Sequence, residues 1–469
     1  MRSNSRRSFL KKGALAAVGL GVQGERVPLA TSSLPRVGIV GGGLAGVACG
    51  WLLDGVADAV LFEARPELGG HAHTIPVSAG NQDLLVDVGS QFFAPGPHPA
   101  YSKLLELIGL TTPGDPEGDD TLESEMSITV MGAGETSPRF LSPAANHSWP
   151  ILAPWNRRAL LAYFVFALAA RRLTKRGDWL LTTDAWLSSL PVRPEEREGL
   201  LLPLVSGTVG CSLDEARVLS ARSALVFVGL ALPANLLAPV LYRHSLLGLG
   251  GNVQFLAGIS GNLTTHVGSP VKSVRSLPPG GFEIENVAGV VENVDAVIFA
   301  TPPYATRLLV DGMPGLSSVS SVLGQFQYFP AEISIHRDPV YMPEKRRFWS
   351  AYNTLVDGSH SEASIWYGAL RPEHPGETPL MLFKSWATAR TRAPEQEIFR
   401  RAFLHPLITP DFIEAGRSLA AYQGQDGVWF AGSYTREVDS QDTALLSAMS
   451  IVRELDPQAP NLLVLESQL

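Results

Sequence analysis

Residues 35–53, PRVGIVGGGLAGVACGWLL, restrict the fold more than any other part of the chain. The apolar run Val37–Val40 shows no alternation, as a strand buried on both faces allows, and glycines separate it from an apolar helical run, Leu44–Leu53. Strand, glycine turn and helix together open a βαβ unit, so a parallel sheet flanked by helices is expected. Gly41, Gly43 and Gly46 stand as G-x-G-x-x-G. The first permits the tight turn, the second lets backbone approach a pyrophosphate, and the third allows the helix to pack closely on the strand. The helix N-terminus, with Leu44 and Ala45 in its first turn, then faces the anion. In a chain with 45 glycines this triplet alone is a weak signal. Its context strengthens it: the next strand, AVLFEA, reaches Glu63, 20 residues beyond Gly43, the spacing at which an acidic side chain accepts from ribose hydroxyls.

Directly after that acid comes ARPELGGHAHT. Glu63, Ala64, Arg65, Gly69, Gly70 and His71 reproduce E-x-R-x-x-x-G-G-R/H, which resembles FAD-binding proteins of the flavin amine oxidase and phytoene desaturase superfamily. Nicotinamide dehydrogenases lack this pattern. A second glycine pair lets another backbone turn lie against the pyrophosphate, and Arg65 and His71 can supply donors to its oxygens. His71 and His73 also fit a strand edge with two solvated imidazoles. A metal site is not expected, because no third or fourth ligand stands near this H-x-H.

Two distant segments extend the resemblance. In SPVKSVRSLPPGGFEIENVAGVVENVDAVIFATPPYATRLL, strand-like runs surround a Pro-Gly turn and lead to a buried strand ending at Ala300 and Thr301. The resemblance implies that Val271 holds the adenine through its backbone and that Ala300 and Thr301 close over the cofactor. In GVWFAGSYT, residues 427–435, it assigns Ala431, Gly432, Ser433 and the following helix to the flavin side of the site, with Asp442 near the position of a cage tyrosine. The superfamily usually carries Glu or Asp where this chain has Ser433. The stretches IHRDPVYMPEKRRFWSAYN and LHPLITPDFIEAGRSLAAYQG resemble a bacterial branch of FAD-dependent oxidoreductases within it.

These three cofactor segments lie near both ends and in the middle, so the parts of the chain must interleave. The expected fold is α/β: a Rossmann-type FAD-binding domain with a parallel sheet, helices and a β-meander, from residues 35–100, 240–320 and 422–460. An α+β substrate domain takes 101–239 and 321–421. A chain of 469 residues can bury such a core. Its net charge of -8 offers no basic surface to nucleic acid, and two cysteines, Cys49 and Cys211, are too few for a disulfide framework. The acidic stretch TTPGDPEGDDTLESE, residues 111–125, reads as a solvated loop.

Residues 5–12, SRRSFLKK, followed by the apolar GALAAVGLGV, resemble a twin-arginine signal peptide over residues 1–30. The apolar segment falls well short of the ~20 residues that span a bilayer. The expected location is periplasmic or otherwise exported, with the twin-arginine machinery as a partner. That route carries folded cargo, which suits a protein that receives a tightly bound cofactor before export.

A flavin enzyme passes hydride from a substrate C–H bond to N5, while the protein orients the substrate and excludes water. Substrate-facing candidates are Ser90, Gln91 and Phe92 in DVGSQFF, together with Tyr352 and Tyr434; each also fits a packing or turn role. Amine oxidases of the superfamily commonly add a lysine near N5, yet FQYFPAEISIH, where it is expected, has none. The runs RRALLAYFVFALAARRL and SALVFVGLALPANLLAPVLY read as core helices, or as a membrane-surface contact with basic flanks. If either lines the cavity, the substrate is an apolar small molecule. The sequence therefore points to an FAD-dependent oxidase, dehydrogenase or desaturase acting on a lipophilic molecule. An amine oxidase releasing peroxide and a flavin-dependent double-bond isomerase remain open alternatives.

Overall fold

Strand Arg36–Val40 lies at the centre of a five-stranded parallel sheet, ordered Val428–Phe430, Ala296–Phe299, Arg36–Val40, Asp58–Phe62, Leu263–His266. The computed structural model describes residues 34–79, 82–111, 120–144, 149–233, 238–371 and 379–469; the expected signal peptide lies outside them. Side chains alternate across the pleat. Val37, Ile39, Ala59 and Leu61 therefore enter one core, with the helices Leu44–Leu52, Gly248–Gly258 and Gln441–Leu455. Val40, Val60, Phe62, Val297 and Phe299 enter another, on the opposite face. That face is covered by a three-stranded antiparallel meander, Val271–Ser276, Phe282–Asn286 and Val291–Val294, and by the helix Pro410–Ala420. Both faces being apolar is what the unalternating run at 37–40 requires. Every residue of the helix Leu44–Leu52 is buried, so truncating a core leucine such as Leu52 to Ala costs about 2–5 kcal/mol.

The second sheet has seven strands, ordered Glu397–Pro406, Tyr328–His336, Phe383–Trp386, His360–Trp366, Tyr352–Asp357, Ile128–Gly132, Phe140–Leu141. It draws only on residues between 128 and 406. Beside it, helices Arg157–Thr174 and Ala221–Ala231 pack together in a third core that includes Phe166, Ala170, Ala224 and Leu225. Among the described residues no helix is long and apolar enough to cross a membrane.

One expectation is corrected here. The acidic TLESE is not loop: Thr121–Glu125 is a strand, antiparallel to Leu241–Ser245, and Glu123 stands opposite Arg243 with 3.5 Å between their charged groups. Cross-strand charge pairing offsets the low strand propensity of the acids. Helix Pro410–Ala420, expected with the substrate part, buries Phe412, Ile413 and Leu419 in the core beneath the parallel sheet.

Candidate active site

The three fingerprint glycines are glycines for different reasons. A Cβ on Gly41, whose φ is +116°, would lie 2.6 Å from the carbonyl oxygen of Ala300, and one on Gly46 would lie 2.0 Å from that of Gly41. Both positions are closed by the protein's own backbone. A Cβ on Gly43 would meet nothing nearer than Gly70 Cα at 4.0 Å. Packing within the chain therefore gives no reason for glycine at 43, whereas a group from outside it does. Gly43 also caps the helix Leu44–Leu52 with no side-chain acceptor and no acidic residue in the first turn, so the N–H groups of Leu44, Ala45 and Gly46 are oriented to bind an anion. These features fit a dinucleotide pyrophosphate.

The flanking residues close around the same point. Gly69 N–H donates to Gly42 O at 2.8 Å, and Arg65 Nη1 donates to Gly70 O at 3.1 Å, holding the ARPELGGH loop against the glycine turn. Glu63, buried at the end of its strand, accepts from Gly42 N–H at 2.7 Å and from Arg65 N–H at 2.8 Å. Ala64 lies between them in the chain. Val271 opens the meander, while Ala300 and Thr301 follow the strand Ala296–Phe299, with the Thr301 and Thr306 hydroxyls 2.8 Å apart. Gly432 N–H donates to Ser447 Oγ at 3.0 Å, and Ser433 Oγ donates to Asp439. The carboxylate of Asp442 is engaged elsewhere, accepting from Tyr101 N–H at 2.8 Å at the start of helix Pro99–Leu107.

Next to this cradle lies a cavity of about 340 Å³. His71, Gly89, Ser90, Gln91, Lys384, His405, Asp439 and Gln441 give it a polar region; Leu219, Ala224, Phe227, Val228, Ala231 and Val240 are among its apolar walls. Ser90, Gln91, Phe92 and Tyr352 all line it. Gln91 is buried and donates from Nε2 to Tyr367 Oη at 3.0 Å, while its Oε1 has no partner among the described residues. Tyr434 is placed elsewhere. Its ring packs edge-on to Phe326 in the core beneath the sheet, with its hydroxyl 3.5 Å from Phe299 O, and it does not line the cavity.

Sequence reasoning missed Lys384, His405, Asp439 and Gln441. Strand Phe383–Trp386 pairs with Tyr328–His336 so that Lys384 stands directly opposite Ile335. Lys384 is thus a buried lysine on the strand next to the one that contains FQYFPAEISIH. The available signal was a single cation inside the apolar MLFKSW. Lys384 donates to Gly89 O, and burial brings it down to about 8 against the opposing pull of Asp87. Burial raises Asp87 to about 7, although it accepts from Thr74 Oγ1 at 2.6 Å and Leu249 N–H at 2.9 Å. The imidazoles of His71 and His405 lie 5.9 Å apart. Burial holds both below the usual range, His405 at about 4, so they are neutral at pH 7 despite the Asp439 carboxylate.

Residues 44–331 match the family described as flavin containing amine oxidoreductase. No curated protein matches the chain in sequence. Among solved structures, wild-type putrescine oxidase bound to putrescine is similar with a TM-score of 0.63 at 15% identity, over 90% of this chain and 99% of that one. A CLA-producing fatty acid isomerase from P. acnes follows at 0.59 and 13%, over 91% and 100%. Cyclohexylamine oxidase from Brevibacterium oxydans IH-35A gives 0.58 and 14%, over 90% and 99%. At such identities the structural likeness establishes the fold alone. The family match, over well more than half of the chain, supplies the rest: this protein belongs to the flavin containing amine oxidoreductase family and is an FAD-dependent oxidoreductase.

Proposed function

We propose that this enzyme oxidises a C–H bond of a lipophilic small molecule, leaving a double bond. The observation that carries this reading is the cavity, whose polar groups gather beside the nucleotide cradle while Leu219, Phe227, Val228 and Val240 line the remainder. Bound flavin supplies the two-electron acceptor. The apolar walls hold the body of the substrate and keep water out, which strengthens each polar contact inside. Gln91 Oε1 is free to accept a hydrogen bond, and Lys384 Nζ, poised near neutrality by burial, can hold or release a proton there. Anaerobic titration with unsaturated fatty acids and terpenoids should bleach the visible flavin spectrum. Bleaching by amines alone would overturn the proposal.

One observation favours a second reading, amine oxidation. Lys384 is a buried lysine in the cavity, on the strand next to the stretch where the amine oxidase resemblance calls for one, and the Asp439 carboxylate in the same cavity is suited to an ammonium group. Peroxide released on adding amines distinguishes this case. A product of unchanged mass would point instead to isomerisation, the activity named for one of the structural neighbours.

We also propose that residues 1–30 direct export of the folded, flavin-loaded enzyme. Replacing Arg6 and Arg7 with Lys should hold the protein in the cytoplasm with its flavin bound. Unchanged export would remove the twin-arginine assignment.

A further inference from the structure

An ordinary surface helix buries its apolar stripe and shows polar side chains to water. Helix Arg157–Thr174 buries one apolar face and exposes a second. At 100° per residue, its buried positions Ala159, Ala162, Phe166, Ala167, Ala170, Leu173 and Thr174 fall on one side, against helix Ala221–Ala231. Arg157, Arg158, Leu161, Phe164 and Arg172 fall within an arc of about 120° on the other. Leu161 is 65% exposed and Phe164 is 44% exposed. The turn before the helix adds Ile151 at 52%, Leu152 at 74% and Trp155 at 43%.

The charge around this patch is reversed relative to the rest of the molecule. Residues 149–177 contain six basic side chains and no acidic one, in a chain of net charge -8. Arg157 and Arg158 stand between Trp155 and Leu161; Arg172, Lys175 and Arg176 follow Phe164. None of these five forms an ion pair with a described carboxylate. Leucine and phenylalanine between two basic clusters, with a tryptophan just before the first, on a helix too polar at its ends to span a bilayer, match an element lying in the plane of an anionic membrane surface. The same helix reaches inward, for Tyr163 lines the cavity from its buried side.

We propose that residues 149–176 form a monotopic docking surface for anionic lipid, with Ile151, Leu152, Trp155, Leu161 and Phe164 entering the headgroup boundary and the arginines and Lys175 contacting lipid phosphates. The wall of the substrate cavity then rests on the bilayer. Binding is read without turnover, so it succeeds or fails independently of the proposed chemistry.

The test is flotation of the flavin-loaded protein with vesicles of mixed phosphatidylglycerol and phosphatidylcholine, beside vesicles of phosphatidylcholine alone. The wild type should float with the anionic vesicles and be released by high salt. Combining Leu161→Asp with Phe164→Asp should weaken binding by about tenfold or more, as should Arg157→Gln with Arg158→Gln. Both variants should keep the flavin spectrum and the wild-type melting temperature, since the substituted side chains are exposed. No flotation of the wild type, or equal flotation of the Asp variant, would overturn the proposal. So would a wild-type dimer, seen by sedimentation, that the Asp variant dissociates without any vesicle binding; the patch would then belong to a second copy of the chain.

Discussion

Lys384 Nζ donates to the main-chain carbonyl of Gly89, joining the seven-stranded sheet to the loop that carries Ser90 and Gln91. Gly89 in turn lies so close to the nucleotide loop that a Cβ on it would stand 1.8 Å from His71 O, and Ser90 N–H donates to that same oxygen at 3.0 Å. One lysine thus fixes the position of the cavity's polar region relative to the cradle.

Replacing it should therefore alter stability with a definite pH dependence. Lys384 and Asp87 are both buried, with opposite shifts caused by burial and partly relieved by each other's charge. In Lys384→Met the carboxyl loses that cation and rises further above about 7. A carboxyl raised in the folded state withdraws stability as pH climbs through its folded value. The wild type, by contrast, gains stability above about 8, where folded Lys384 sheds its proton while the unfolded chain still holds it. The deficit of Lys384→Met should accordingly grow between pH values below 7 and above 8, by on the order of 1–2 kcal/mol, read as the difference in melting temperature. A constant deficit would show that burial does not shift the two groups as stated.

The fingerprint glycines should separate in their effects. Gly46→Ala drives a Cβ into Gly41 O and should destabilise the protein by about 1–3 kcal/mol with or without flavin. Gly43→Val enters open space. Its apoprotein should melt as the wild-type apoprotein does, while flavin retained after gel filtration falls to a small fraction. Melting curves and the visible absorbance of the purified variants measure both. Full flavin retention by Gly43→Val would mean that the pyrophosphate does not lie there.

Tyr434, a substrate-facing candidate from sequence, lies in the core, where its hydroxyl meets the Thr306 side chain and stands 3.5 Å from Phe299 O. Tyr434→Phe should leave flavin content unchanged and cost about 0.5–1.5 kcal/mol, the worth of one ordinary hydrogen bond. A large loss of anaerobic flavin reduction in that variant would return Tyr434 to the active site.

What could be read in advance follows from distance along the chain. The strand, glycine turn and helix at 36–52, the acid at 63 and the second glycine pair are local, and backbone sterics assign them their roles within about 30 residues. Lys384, His405 and Asp439 reach the cavity from separate segments, so only strand pairing brings them together, such as the register that sets Lys384 opposite Ile335. The strand at Thr121–Glu125 was hidden for the same reason, since its pairing with Leu241–Ser245 spans more than 100 residues. Helix Arg157–Thr174 shows a further limit. Its apolar composition was evident, but which residues face solvent depends on the packing of Ala221–Ala231.

Asp442, in the first turn of helix Gln441–Leu455, caps helix Pro99–Leu107 with its carboxylate. Burial raises it to about 6, although N–H groups of Tyr101 and Ala100 favour its charged form. Because the folded value lies above the unfolded one, the stability associated with this group is fully present below about pH 4 and is lost as pH rises through about 6. Asn at this position keeps an acceptor for Tyr101 N–H but cannot ionise. The stability of Asp442→Asn relative to wild type should therefore increase across that interval, by about 3 kcal/mol for a shift of roughly two pKa units. Chemical denaturation at a series of pH values gives the difference directly, with flavin-free protein as the second arm. If the carboxylate also contacts the flavin side of the site, the slope will differ between holo and apo forms; if it serves only the helix, the two slopes will coincide.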